Sequence, residues 1–536
     1  MRAASAALAA TLLACSSAGP SPSAEPELRA QQLAAPSVRR LSTAELSAAA
    51  RALTGVEIEL DGALPPDARQ HDFSRNLAQS VDALTLTQLD AAARDLAEAL
   101  TLTAPALPTC ARAAAPNDAR CRDETVSRLA ERGLRRPASE AELQALGALF
   151  DAGADEGSFI DGARLVVRAL LGSPQLLYDT ALGATPSDVS PRPPTPGKLQ
   201  LTDDELASQL AWLMSGAPPD AELRAAAAAG QLRSGPARRK HAERLASAPS
   251  SRPLYRRFVE EWLGLNRLRS LAKSTAISPD FSALREPMLR ETAAVVDDAL
   301  AQSGGSFVAL FAGGYSHVPR ELSELYGIEA PTSEQRVGLS QLGRVGVLQH
   351  ASFLATFAHE AESAPVLRGK AVLERLLCRN LPSPAELGID LVLPEPNPNA
   401  TTRERFELHA ASDRCASCHV ALDGVGFSFE NFDAVGRFRD REAGRPIDTS
   451  GRVLIDEREL TLTDSVDLAR ALATSSDLSR CAARHVARFA AGSEFPALED
   501  DFVTATRALP AAERESILGL LLAWVEGAWF ASRSTP

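Results

Sequence analysis

The chain has 536 residues, 45% apolar and 23% charged, which excludes an intrinsically disordered protein and leaves material for several packed cores. At about 150 residues per domain the length suggests three or four domains. Its 69 acidic and 56 basic residues give a net charge of −13, and aromatics are only 5%, so neither a phosphate backbone nor a base-stacking platform is served, and no nucleic-acid partner is expected.

In chain order, MRAASAALAATLLACSS joins one positive charge to an apolar run too short to span a bilayer, as an export signal does. Leu12-Leu13-Ala14-Cys15 is similar to a bacterial lipobox, in which cleavage frees Cys15 to carry lipid; an ordinary signal with a chance cysteine is the plainer alternative. A Ser, Pro, Ala and Gln-rich stretch to residue 37 reads as a flexible tether. Three segments then open with a Ser or Thr followed three residues on by Glu and an apolar 3.6-residue period: Ser42–Glu45, Ser139–Glu142 and Thr202–Glu205. That is the signature of a capped helix start. Residues 184–198 contain five prolines and read as a linker, and a second Pro-rich break covers 379–400. Alternating strand patterns are scarce, with short hairpins expected only near 425–460.

The cysteines number seven: 15, 110, 121, 378, 415, 418 and 481. With Cys15 lipidated and Cys415 and Cys418 used together, four remain, which allows three pairings. Cys110 and Cys121 flank a short polar loop and are expected to pair; Cys378 then pairs with Cys481. Cys415-Ala416-Ser417-Cys418-His419 is a C-x-x-C-H motif. Two thiols at this spacing reach the two vinyl groups on one edge of a haem, and the adjacent imidazole falls beneath the iron. At this composition the pattern arises by chance in roughly one such chain per thousand. A zinc site would want further Cys or His ligands at metal spacing, and a redox dithiol a βαβ context; the sequence offers neither. One covalently attached haem c is therefore the expected cofactor, with His419 as proximal ligand.

The chain resembles the large lipoproteins of the planctomycete-type cytochrome c group, built from domains mostly of unknown function. The resemblance runs from about residue 38 to 533. It is carried by RRLSTAE (39–45), Arg135-Arg136-Pro137, LTDDELASQLAWLMSGAPPDAEL, EEWLGL (260–265), ELYGI (324–328), GVLQHASFLATFAHE, APVLRGKAVLERLLC, CASCHVALDGVGFSFENFDAVGRFRD and SRCAARHVARFAAG. It implies a mainly α, multi-domain protein. The expected divisions are a signal (1–14), a tether (15–37), helical modules over 38–105 and 106–183, the linker (184–198), a central helical module (199–335), a haem-binding module (336–460) and a C-terminal helical module (461–536). Gly424 departs from the family, which usually has Pro there; a looser turn behind the haem is the expected consequence.

For the sixth iron ligand, Met1 leaves with the signal and Met214 and Met288 precede the motif. His359 and, as the alternative, His409 occupy positions that match family histidines; His71, His241, His317, His350 and His485 are weaker choices. Arg368 and Arg437 lie near the motif in sequence and are candidates for the haem propionates, Arg being the better bidentate partner of a carboxylate. Phe427, Phe429 and Phe432 are expected to line the haem pocket. The expected function is electron transfer by a lipid-anchored mono-haem cytochrome of the cell envelope, facing an unknown redox partner. Ser16 after the lipobox cysteine, rather than Asp, points by resemblance to the outer membrane. A haem-dependent oxidoreductase or peroxidase-like enzyme and a binding scaffold with structural haem are the alternatives; no catalytic residue is assigned.

Overall fold

In the computed structural model, residues 33–184, 197–330, 335–382, 385–386, 397, 399–409 and 413–535 are described. Cys15, the expected signal, most of the tether and linker residues 185–196 lie outside them. The described chain is mainly α, 58% helical with only short two-stranded sheets.

Each Ser/Thr-x-x-Glu start caps a helix. After strand β1 (Ser37–Arg40), Ser42 opens α1 (Thr43–Thr54): its backbone N–H donates to Glu45 at 2.9 Å while its hydroxyl accepts from the Glu45 N–H at 3.4 Å. Helices α2 (Ala83–Ala99), α3 (Ala119–Leu134), α4 (Glu140–Glu156, capped by Ser139) and α5 (Phe159–Leu171) follow. The stripe Phe159, Ala163, Val166, Val167 and Leu170 of α5 is buried, and residues from Leu41 to Leu177 share one apolar core, across the limit expected at 105/106. Strand β2 (Tyr178–Ala181) closes this half by pairing antiparallel with β1, Ser37 opposite Ala181 and Arg40 opposite Tyr178.

Strand β3 (Lys198–Gln200) leads to α6 (Asp203–Met214), capped by Thr202. This helix serves both halves: Trp212 is buried in the first core, while Leu210, Leu213 and Met214 enter a second. The second core runs on through α7 (Ala221–Ala228), α8 (Gly235–Ser247), α9 (Arg252–Trp262), α10 (Phe281–Ser303), the pair β4 (Tyr315–Val318) and β5 (Gln335–Gly338), α11 (Ala351–Thr356) and α12 (Pro365–Arg375). It continues past α13 (Thr402–His409) into α14 (Asp413–Gly426), the hairpin β6 (Gly451–Ile455) and β7 (Arg458–Leu462), α15 (Ser465–Ala473), α16 (Ser476–Ala491), α17 (Pro496–Thr506) and α18 (Ile517–Glu526). Three of the expected modules thus share one apolar interior. The last strand, β8 (Ser532–Ser534), returns to pair with β3, Ser532 opposite Gln200. Hairpins occur where expected, near 425–460, but two further pairs join segments remote in sequence, and β4 pairs with the next strand, β5. Among the described residues no helix is long and apolar enough to cross a membrane.

The structure pairs Cys110 with Cys121 and Cys378 with Cys481, closing 11 and 103 residues respectively. Loop-closure entropy makes the long bridge worth about 4.7 kcal/mol and the short one about 2.8 kcal/mol. In urea titrations, Cys378→Ala with Cys481→Ala is expected to lose clearly more stability than Cys110→Ala with Cys121→Ala; equal losses would contradict the entropic reading.

Candidate metal centre

Cys415, Cys418 and His419 lie on one helix, α14. Positions three and four apart are neighbours on a helix surface, so the backbone sets both cysteine positions and His419 on one side of it. That helix is held by close backbone approaches. A Cβ at Gly369 of α12 would lie 2.2 Å from the Leu422 carbonyl oxygen, and one at Gly426 would lie 2.1 Å from that of Pro365. On the other side a Cβ at Gly424 would lie 2.2 Å from the Arg452 carbonyl oxygen. The expectation of a loosened turn at Gly424 is therefore corrected: the residue is helical, and its missing side chain lets β6 press against α14.

The His419 side chain is only 14% exposed, and its Nδ1 lies 3.1 and 3.2 Å from the two carboxylate oxygens of Asp423, one turn on. This hydrogen bond raises the His419 pKa against the opposing effect of burial. A carboxylate on Nδ1 fixes the tautomer that presents Nε2 as a metal-binding nitrogen and makes that nitrogen more basic. The i, i+4 spacing of Asp423 from His419 is readable in the sequence.

Of the candidate propionate partners, Arg368 and Arg437 donate to backbone carbonyls. Arg368 is completely buried and donates to four carbonyls, those of Phe429 (3.0 Å), Phe432 (2.8 Å), Leu354 (3.2 Å) and Asp433 (2.7 Å). Burial lowers its pKa to about 10. Arg437, partly exposed, donates to the Ile277 carbonyl at 2.7 Å. His359 lies on the loop before α12; its carbonyl and that of Ala358 accept from Lys273 Nζ at 2.8 and 3.0 Å. Burial, more than the nearby Arg368 charge, lowers the Lys273 pKa to about 8, and burial also lowers that of His359. Arg368, Arg437 and His359 thus meet in one corner around Lys273 and Asp433. His409 ends α13, and its side chain lies outside what is described, as do those of Cys415 and Cys418.

Met214 and Met288 are fully buried core residues. His350 is enclosed between Thr292 and Ser316 hydroxyls, and His317 binds Asp298 at 2.7 Å. Phe427, Phe429 and Phe432 are also buried, under Arg403, against Phe353 and beneath Arg344 respectively. Ligand atoms of Cys378, Cys481 and His485 lie within 4.8 Å of one another, but both sulfurs are bonded in the bridge and offer no thiolate to a metal.

Four stretches match family models. Residues 39–101 match PSD3, 121–180 PSD5, 201–328 PSD4 and 344–442 PSCyt3, each described as a protein of unknown function (DUF1587, DUF1595, DUF1592 and DUF1588). These are planctomycete cytochrome c-type domain families, and the four successive matches make the chain similar to multi-domain proteins of that kind. The C-x-x-C-H motif falls within the PSCyt3 stretch. No curated protein and no solved structure matches the chain.

The donor set fits a haem. One half-buried imidazole is oriented through Nδ1, and two cysteines precede it by one and four positions on the same helix.

Proposed function

We propose that this chain is an exported c-type cytochrome that transfers electrons through a single haem held by Cys415, Cys418 and His419. The observation that carries this reading is the His419–Asp423 pair on the helix of the C-x-x-C-H motif. The bound haem supplies one-electron redox chemistry at iron. The two thiols hold its edge, and His419 is the nitrogen ligand. Asp423 keeps that imidazole in one orientation, and the glycine contacts of α12 and β6 keep the helix still between oxidation states. His359 is proposed as a second residue that would hold the haem iron, with His409 the alternative, and lipid on Cys15 as the anchor to the outer membrane. The redox partner is a protein of the same envelope compartment.

Spectra of protein matured with haem, oxidised, reduced and under carbon monoxide, test the reading. A low-spin spectrum indifferent to carbon monoxide is expected; rapid carbon monoxide binding with peroxide turnover would replace electron transfer by a haem enzyme. Asp423→Asn removes the charge behind His419 and makes the ligand less able to stabilise ferric iron. An outer-sphere effect of 10- to 100-fold corresponds to a midpoint potential raised by roughly 60–120 mV. An unchanged potential in redox titration would exclude Asp423 as the group that tunes His419.

A further inference from the structure

Where the first and last segments of the fold meet, β1, the loop carrying Arg75, the end of α16, the chain after α18 and β8 enclose a small cavity. Three guanidiniums line it: Arg39, Arg75 and Arg533, all buried. Among the described residues two carboxylates, Glu45 and Asp179, lie within ion-pair distance of them, and Glu205 acts on Arg533 from beyond it. Arg39 takes Glu45 through two hydrogen bonds, at 2.6 and 3.0 Å, and lies 3.5 Å from Asp179. Arg75 and Arg533 spend their hydrogen bonds on carbonyls, Arg75 on Phe489 and Ala490, Arg533 on Trp529, Phe530 and Ser532. A carbonyl satisfies an N–H but cancels no charge.

Burial lowers the pKa of both Arg75 and Arg533 to about 10, so both stay charged at neutral pH. Among the described residues within ion-pair distance one positive charge is left over. Counting the next charges that act on these groups, Arg135 and Glu205, leaves the same excess. Arg75 Nε has no hydrogen-bond partner among the described residues and lies 3.6 Å from Glu45. Trp524, Trp529, Phe495 and Phe530 wall the cavity, so solvent screens the excess poorly. An uncompensated charge in such a place is costly, and water satisfies donors without neutralising it.

We infer that this cavity is a binding site for one small monovalent anion of the halide class, seated between Arg39, Arg75 and Arg533. A small ion suits the site: the cavity volume is about 30 Å³, above the minimum for one water, and a single monovalent charge matches the excess. The site lies at the junction of β1 with the C-terminal segments, and its ion would tie the two ends of the fold together.

Crystals of the whole chain soaked in sodium bromide test this by anomalous scattering, with one bromide peak in contact with Arg75 expected in the cavity. In solution, replacing gluconate by chloride at fixed ionic strength should raise the unfolding temperature of the unaltered protein. In Arg75→Met the chloride response should be lost. Water alone in the cavity of the bromide crystal, or a chloride response equal in Arg75→Met and the unaltered chain, overturns the assignment. If Arg75→Met does not fold, the bromide crystal of the unaltered protein decides alone.

Discussion

Arg368→Met is expected to cost the fold about 5 kcal/mol. The side chain is fully buried, and its guanidinium gathers carbonyls from α11 and from the segment 429–433 that follows α14. Methionine fills much of the volume but donates nothing, so four carbonyls lose a charged donor. Each buried group left unsatisfied costs roughly 1–3 kcal/mol, with partial relief from relaxation. A loss above 4 kcal/mol is exceptional for one substitution and takes a large share of a typical stability of 5–15 kcal/mol. Urea unfolding measures it, with Arg368→Lys expected to fall between the two because one ammonium cannot reach four acceptors. A loss under 1 kcal/mol for Arg368→Met would mean that these carbonyls find other donors.

Glu45→Gln is expected to cost about 3 kcal/mol at neutral pH and to flatten the acid limb of the stability curve. Burial alone would push the Glu45 pKa up, but Arg39, Arg75 and the Ser42 N–H hold it down to about 2 from its ordinary 4.5. A carboxyl depressed on folding stabilises the native state above its unfolded pKa and loses that contribution as pH falls through the folded value. The window therefore runs from about pH 4.5 down to about 2, and the gap converts at 1.36 kcal/mol per unit. Denaturation at a series of pH values checks it: the unaltered chain should lose stability across this window more steeply than Glu45→Gln. Parallel curves would contradict the assignment of that slope to Glu45.

What the sequence disclosed was local. Ser42, Ser139 and Thr202 cap their helices because a capping box needs only residues three apart. The cysteine count leads to the two bridges because the remaining pairings are few. His419 and Asp423 were one helical turn apart on paper before they were in space. What stayed hidden depends on contacts across the chain. Nothing near Ser532 in sequence announces Gln200 as its partner, and nothing local shows three expected modules sharing one core. Arg368 is a propionate candidate by type and sequence neighbourhood; its burial and its four carbonyls come from segments brought together only by folding. The burial of Phe427, Phe429 and Phe432 follows from their apolar type, but their partners Arg403, Phe353 and Arg344 come from other segments of the chain.

The most direct test of the central reading is the mass of the peptide spanning Cys415 to His419, taken from chain exported through a cytochrome c maturation system, together with the iron content of the whole protein. One haem bound through both cysteines, one iron per chain, and loss of both in Cys415→Ala with Cys418→Ala are the results expected. A purified, matured chain in which both thiols alkylate freely, or which carries stoichiometric zinc and no iron, would contradict it.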